Sequence, residues 1–313
     1  MDGSKNAYIV RHRLDFKNKF TDCSIGVMLF LKNLSFCLLL FFSSCTEYID
    51  IELETTSKRL VVEGMVMSDQ EYHYVRLTQS IPFLSDTISP PVSGATVMLS
   101  DGDRNEYLSE SDEYPGYYIS LGGIVGQPGK TYSLFISEVD INGDGEDEVY
   151  SASCYMPSVT QPDSIRIVYD DSWEVWKVLL YAKDNPDTDD YYLFRIFKNR
   201  TLISDRLGEY SVVSDQFFDG GVANGVWVQS IADSEDHEVF SVGDVITLQM
   251  CGITKEYFEF IEAVQEENRF RYPLFSGPPA NAEGNITNGG LGFFAAFSAK
   301  YATFEFDETN LVK

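Results

Sequence analysis

Histidine is nearly missing from this chain: three occur in 313 residues, His12, His73 and His237. No G-x-S-x-G elbow, H-E-x-x-H pair, phosphate-binding P-loop or Rossmann glycine pattern occurs either. Hydrolases and transferases that rely on a histidine base or a motif-borne nucleophile therefore lack their usual parts. Basic residues are also scarce, with 23 Lys and Arg against 49 Asp and Glu and a net charge of −26. A surface of that sign repels phosphate backbones and anionic lipid, so nucleic acid is not an expected partner. Five cysteines are present without a C-x-x-C or Cys/His cluster, which argues against structural zinc. No apolar run approaches the roughly 20 residues that a membrane-spanning helix needs.

What is present near the amino terminus is an address. Lys32 precedes the short apolar run Leu34–Phe42, which ends in Ser43-Ser44 and then Cys45. Positive charge, a short greasy core and small residues define a secretory signal. A cysteine directly after the small pair marks the lipoprotein variant, in which the thiol is acylated and the preceding peptide removed. The competing reading is a cleaved soluble protein with an ordinary cysteine. Residues 1–44 are thus expected to be a signal segment, with Met28 as its natural start because Met1–Val27 is not apolar. The alternative is one unusually long positive region. Residues 45–57 then form a lipidated acidic tether carrying Glu47, Asp50, Glu52 and Glu54. Of the remaining cysteines, Cys154 and Cys251 could be bridged in an oxidising compartment or stand as two buried thiols.

Beyond the tether, apolar and aromatic residues are plentiful, so the acidity does not signal disorder. Leu60–Val66, Tyr72–Leu77, Ala95–Leu99, Tyr117–Ser120, Thr131–Ile136 and Tyr150–Met156 read as short strands with turn residues between them. That spacing predicts a β-sandwich over residues 58–157. Pro157 and Pro162 mark a seam, and residues 158–313 read as a second β-rich domain. Its one helix is expected at 254–269, with Thr254 as N-cap and Tyr257, Phe258, Phe260, Ile261 and Val264 on one stripe. A Gly- and Asn-rich stretch should lead into two final strands, 293–297 and 302–306. The fold class is mainly β: two sandwich-like domains, the second with one packed α-helix.

Asp140-Ile141-Asn142-Gly143-Asp144-Gly145-Glu146-Asp147-Glu148 is the sharpest local motif. Oxygen ligands at alternate positions with a turn glycine are the calcium-loop pattern, which makes Asp140, Asn142, Asp144 and Glu148 candidate ligands. Ser151 stands where a bidentate Glu would complete the loop, and the flanks read as strands, so an acidic hairpin turn competes with calcium. No other cofactor is expected. Adjacent acids such as Asp170-Asp171 and Asp189-Asp190 follow from the composition alone. Trp173, Trp176 and Trp227 could stack on a sugar or clamp a peptide, or simply fill the core. Thr87 and Ser164 lie in Asp-Thr-Ile and Asp-Ser-Ile, which resemble a short O-glycosylation acceptor pattern.

Several strings taken together resemble one family. They include Leu60-Val61-Val62-Glu63-Gly64, Gly94-Ala95-Thr96-Val97, Pro115-Gly116-Tyr117-Tyr118, Asp184-Asn185-Pro186, Asp215–Gly220, Asn285-Ile286 and Gly289–Phe294. The chain resembles the Bacteroidota lipoproteins grouped as domain of unknown function 4249 over nearly all of its length after Cys45. The resemblance implies an outer-membrane lipoprotein, often encoded beside a TonB-dependent transporter, and brings no catalytic residues. The first domain is also similar to Ig-like, carboxypeptidase-regulatory-like sandwiches. The resulting expectation is a non-enzymatic accessory or ligand-binding subunit of such a transporter, lipid-anchored on either face of the outer membrane. A surface glycan or peptide hydrolase and a purely structural envelope protein are the alternatives.

Overall fold

A computed structural model describes residues 58–309 except 83–84, 86, 184–187, 205, 216–220, 233–239 and 269–281. Cys45, the signal segment and the whole tether lie outside the described residues, as do Asp86, Asp184–Pro186 and His237. The strands are β1 (Leu60–Met67), β2 (Tyr74–Gln79), β3 (Thr96–Ser100), β4 (Asn105–Tyr107), β5 (Ser109–Glu110), β6 (Tyr117–Ile119), β7 (Thr131–Val139) and β8 (Glu148–Tyr155). They continue as β9 (Ser164–Asp170), β10 (Val175–Lys183), β11 (Tyr191–Lys198), β12 (Thr201–Leu202), β13 (Ser211–Ser214), β14 (Val222–Ala232), β15 (Val245–Ile253) and β16 (Leu291–Glu305). One helix, α1 (Lys255–Asn268), lies between β15 and β16, and a 3-10 turn covers Leu207–Glu209. The mainly β expectation is met.

One nine-stranded sheet runs β12-β11-β15-β16-β1-β2-β6-β5, with β13 added beside β11. Two smaller sheets, β4-β3-β7-β8 and β14-β10-β9, complete the set. The joint in the large sheet is β16. Its first half, Leu291–Phe297, pairs parallel with Val61–Met67 of β1. Its second half, Ser298–Glu305, pairs antiparallel with Val245–Gly252 of β15. The two final strands expected from sequence are therefore one strand of 15 residues that changes partner midway.

Alternation along each strand sorts the side chains into two cores. Val62, Val75, Leu77 and Phe294 share one with Val97, Leu99, Leu134 and Ile136 of the four-stranded sheet. Tyr192, Phe194, Ile246, Leu248 and Phe306 share the other with Ile165, Trp176, Val178 and Leu180 of the three-stranded sheet. Two sandwich-like packings thus exist, and β16 takes part in both, through β1 in one and β15 in the other. The carboxy-terminal strand β16 is a member of the first sandwich through β1, and Thr55–Lys313 forms a single unit. Parallel pairing leaves no local mark in sequence, and Pro157 and Pro162 lie in the segment between β8 and β9.

Glycine marks the joint. Gly292 has φ +89°, and a Cβ there would strike the carbonyl oxygen of Val62. Only glycine lets β16 come alongside β1 at that point. At Gly64 the register is continuous on both sides, and a Cβ would press on Val75 and Phe294 at 3.1 and 3.2 Å.

Candidate functional site

The face of the large sheet turned away from the small sheets is only partly covered. Helix α1 covers part of it because its stripe is apolar: Tyr257, Phe260 and Ile261 are buried. Thr254 starts the helix as expected, its Oγ1 accepting the Tyr257 N–H at 3.3 Å. The rings of Tyr257 and Phe260 lie 4.9 and 5.1 Å from that of Phe293. Beside this seam a cleft of about 350 Å³ remains open. Its floor is β1 from Val61 to Met65 with Gly292 and Phe293; its walls are Tyr257 and Phe260 on one side and Leu207 and Tyr210 on the other.

The second wall is held in place by polar side chains from two elements. Gln265 of α1 donates to the carbonyls of Leu207 (2.9 Å) and Tyr210 (2.7 Å). Gln229 of β14 donates to Glu209 O at 2.8 Å. The cleft is therefore preformed, apolar, and set with few polar groups, the usual character of a small-molecule site. One of those groups is Glu63, whose Oε2 lies 3.5 Å from Arg76 Nη1. Arg76 in turn sits over the Tyr117 ring at 5.5 Å, and Tyr117 is 6.0 Å from Tyr74. Burial, followed by the Glu63 carboxylate, pushes the Tyr74 phenol up to about 12. Tyr257 is raised by burial above the ordinary phenol range. Both hydroxyls stay protonated at physiological pH.

The sequence-derived candidates fall elsewhere. In the acidic hairpin, Asp140 accepts the Gly143 and Gly145 N–H groups (2.6 and 2.9 Å), Asn142 accepts Asp144 N–H (2.8 Å) and Glu148 accepts Ile141 N–H (2.9 Å). Asp144 accepts from Glu146 N–H and from Asn142 Nδ2. These oxygens are occupied in building the turn. Among the described residues no three His, Cys, Asp or Glu side chains converge as a metal site.

Cys154 and Cys251 are both buried and free, the second of the two readings open from sequence. Cys154 Sγ accepts the Ala296 N–H at 3.2 Å on the edge of β16 that no strand covers, while Cys251 sits in β15 between β11 and β16. Burial pushes the Cys154 thiol up to about 11.

His73 is buried in the first sandwich, its Nε2 3.1 Å from Ile124 O, and burial lowers its pKa. Of the tryptophans, only Trp176 fills the core, at 1% exposed; Trp173 and Trp227 are 71% and 48% exposed. Trp227 lies under the Lys177 ammonium, 4.2 Å from its ring centre. Thr87 and Ser164 are both exposed.

The strings that carried the family resemblance prove to be joints. Glu110 accepts the N–H groups of Gly94 and Gly116, both at 2.9 Å. The Tyr118 hydroxyl donates to Val92 O and accepts Ala95 N–H, both at 3.0 Å. Asp215 accepts Asp190 N–H at 2.8 Å. The cleft walls went unnoticed because they come from separate segments, and no local window brings Tyr210 next to Tyr257. No curated protein matches the chain. The sequence profile of a family described as domain of unknown function (DUF4249) matches residues 46–302.

Proposed function

The chain belongs to the DUF4249 family, and on that premise we propose a non-enzymatic lipoprotein of the outer membrane that serves a TonB-dependent transporter as a ligand-binding accessory subunit. The observation that carries the binding role is the preformed cleft between β1, α1 and Tyr210, whose walls are pinned before any ligand arrives. Pinned walls reduce the ordering cost of binding. The export signal supports the placement: the family match begins at residue 46, directly after the candidate lipidation site Cys45. Acylation there would confine the protein to two dimensions near the channel and raise its effective concentration. The acidic surface cannot provide this attachment to anionic lipid.

The test is purification of the tagged full-length protein from native membranes in mild detergent. A transporter barrel should co-purify with the native protein, and Cys45→Ser should move the protein out of the membrane fraction and lose the barrel. Unchanged fractionation of Cys45→Ser removes the anchor; absence of a barrel beside the native protein removes the partnership.

A further inference from the structure

We infer that the cleft takes a small apolar ligand bearing a carboxylate, with Arg195 as its counter-charge. This deepens the binding role proposed above and rests on it. Arg195 stands on the cleft side of β11, in register with Gln249 of β15. Its guanidinium carbon lies 5.9 Å from the ring centre of Tyr210, a cleft wall, and 5.9 Å from that of Phe197. Among the described residues its side chain has one hydrogen-bonding contact, a weak one from Nη1 to Met67 Sδ at 3.9 Å, and its buried Nε has no acceptor. Among the described residues no carboxylate forms an ion pair with it.

That isolation is unexpected in a chain with 49 acidic and 23 basic residues. A partly buried cation without a counter-ion is costly, and an anion brought by a ligand removes the cost. The nearby acid does not do so. Asp69 is engaged by the Tyr301 hydroxyl and lies 3.4 Å from Gln249 Nε2. Gln249 is 1% exposed and leaves its Oε1 buried and unpartnered beside Arg195. A buried donor and a buried acceptor thus lie without partners on adjacent strands, next to the cleft lining.

The rest of the cleft fixes orientation. Met67 follows Met65 on the same face of β1, about 7 Å along the strand. A ligand body lying over Met65 and Phe293 therefore has Arg195 within one strand step. Glu63 at the other end is already paired with Arg76 and offers acceptor oxygens only, so a hydroxyl or amine suits the Glu63 end and the charged end points to Arg195. A cleft of about 350 Å³ sits at the small end of ligand pockets, which limits the body to roughly one ring with a short chain.

The full chain carrying Cys45→Ser, which needs no detergent, is titrated in a calorimeter with 3-phenylpropionate, 3-phenylpropionamide and 3-phenylpropylamine. The acid should bind about tenfold tighter than the amide or more, and the amine weakest. Arg195→Met should bring the acid down to the level of the amide, leave the amide unchanged, and leave the melting temperature unchanged or higher. Arg195→Lys, which keeps the charge but not the fork, should fall between. Equal affinity for acid and amide, tightest binding of the amine, no saturation by any probe, or loss of folding in both Arg195 variants overturns the assignment. Carboxylate binding without a co-purifying barrel leaves this inference standing and removes the partnership; the converse removes this inference alone.

Discussion

Replacing Asn285 by Ala should cost about 3 kcal/mol, because this side chain stands in for a strand. The first half of β16 pairs with β1 on one edge, while β15 takes up pairing only from Ser298 onward. The other edge at Phe294 is met by the Asn285 amide. Its Oδ1 accepts the Phe294 N–H at 2.9 Å, and its Nδ2 donates to Phe294 O at 2.8 Å. The same Nδ2 donates to Ser153 O of β8 at 3.1 Å. Two residues on, Thr287 and Ser151 are joined through Ser151 N–H to Thr287 Oγ1 (2.8 Å) and Thr287 N–H to Ser151 O (2.9 Å). The segment thereby closes the first sandwich between β8 and β16. In Asn285→Ala, the N–H and carbonyl of fully buried Phe294 lose their partners at about 1–3 kcal/mol each. Water can reach Ser153, which is exposed, so its share is small.

Urea unfolding of the Cys45→Ser chain should show the midpoint falling by about 1 M with the slope unchanged. Asn285→Asp sharpens the test. It keeps the acceptor for Phe294 N–H but sets a carboxylate against two carbonyl oxygens. At neutral pH it should be at least as damaging as Ala. Those carbonyls raise the folded pKa of the new carboxyl, so its deficit should shrink as pH falls through that value and the protonated form donates again. A loss below about 1 kcal/mol for Asn285→Ala, or an Asn285→Asp deficit that ignores pH, refutes the edge-capping argument.

Two further predictions follow from buried groups. Cys154 and Cys251 should both be unreactive to a thiol reagent in the folded protein and both react after denaturation without reductant, since they are free and burial raises both pKa values; an intact mass two units low in the unreduced protein contradicts this. Asp101 is buried, which alone would raise its pKa, but the N–H groups of Arg104 (2.8 Å) and Asp103 (3.0 Å) together with Lys130 outweigh burial and hold the carboxyl below its ordinary range. Its contribution to stability is therefore complete above the unfolded value of about 3.9 and is lost as pH falls through the lower folded value. Asp101→Asn should be less stable at neutral pH and lose stability less steeply in acid, which denaturant titrations over pH 2–7 would reveal; an identical acid limb rejects the assignment.

Much of the fold was legible where one face of a strand is wet. β7 alternates buried and more open positions, and Thr131–Ile136 was read as a strand. The helix was legible for the same reason at a different period. The continuity of β16 was not legible, because Phe293 to Ala299 are all buried: the even residues enter the sandwiches and the odd ones lie under α1 or beside β15. A strand covered on both faces has no alternation to read. Its change of partner depends on β1, more than 200 residues away, so two separate strands in the second domain was the reading local pattern allowed. The tryptophans show the converse limit. Trp173 and Trp176 are three residues apart in one hairpin, yet one lies at the turn and the other in the core, and only strand phase separates them.

The cleft divides along the same line. Its floor, Val61–Gly64 with Gly292 and Phe293, falls on the strings that carry the family resemblance. Those strings are legible because they solve a backbone problem, the close parallel approach of β16 to β1, which only particular residues permit. Leu207, Tyr210, Tyr257, Phe260 and the neighbouring Arg195 lie outside them. In sequence Arg195 looks like an outward charge on an ordinary amphipathic strand, since Tyr191, Arg195 and Phe197 alternate with Tyr192, Phe194 and Ile196. What makes it a candidate ligand contact is that this outward face is itself partly roofed by Tyr210, a fact of tertiary packing. Family resemblance therefore identifies the platform, and choice of ligand rests with the wall residues. Exchanging Tyr210 or Arg195 should change what binds while leaving the joint between β1 and β16 intact, whereas Gly292→Ala should damage the joint before any question of ligand arises.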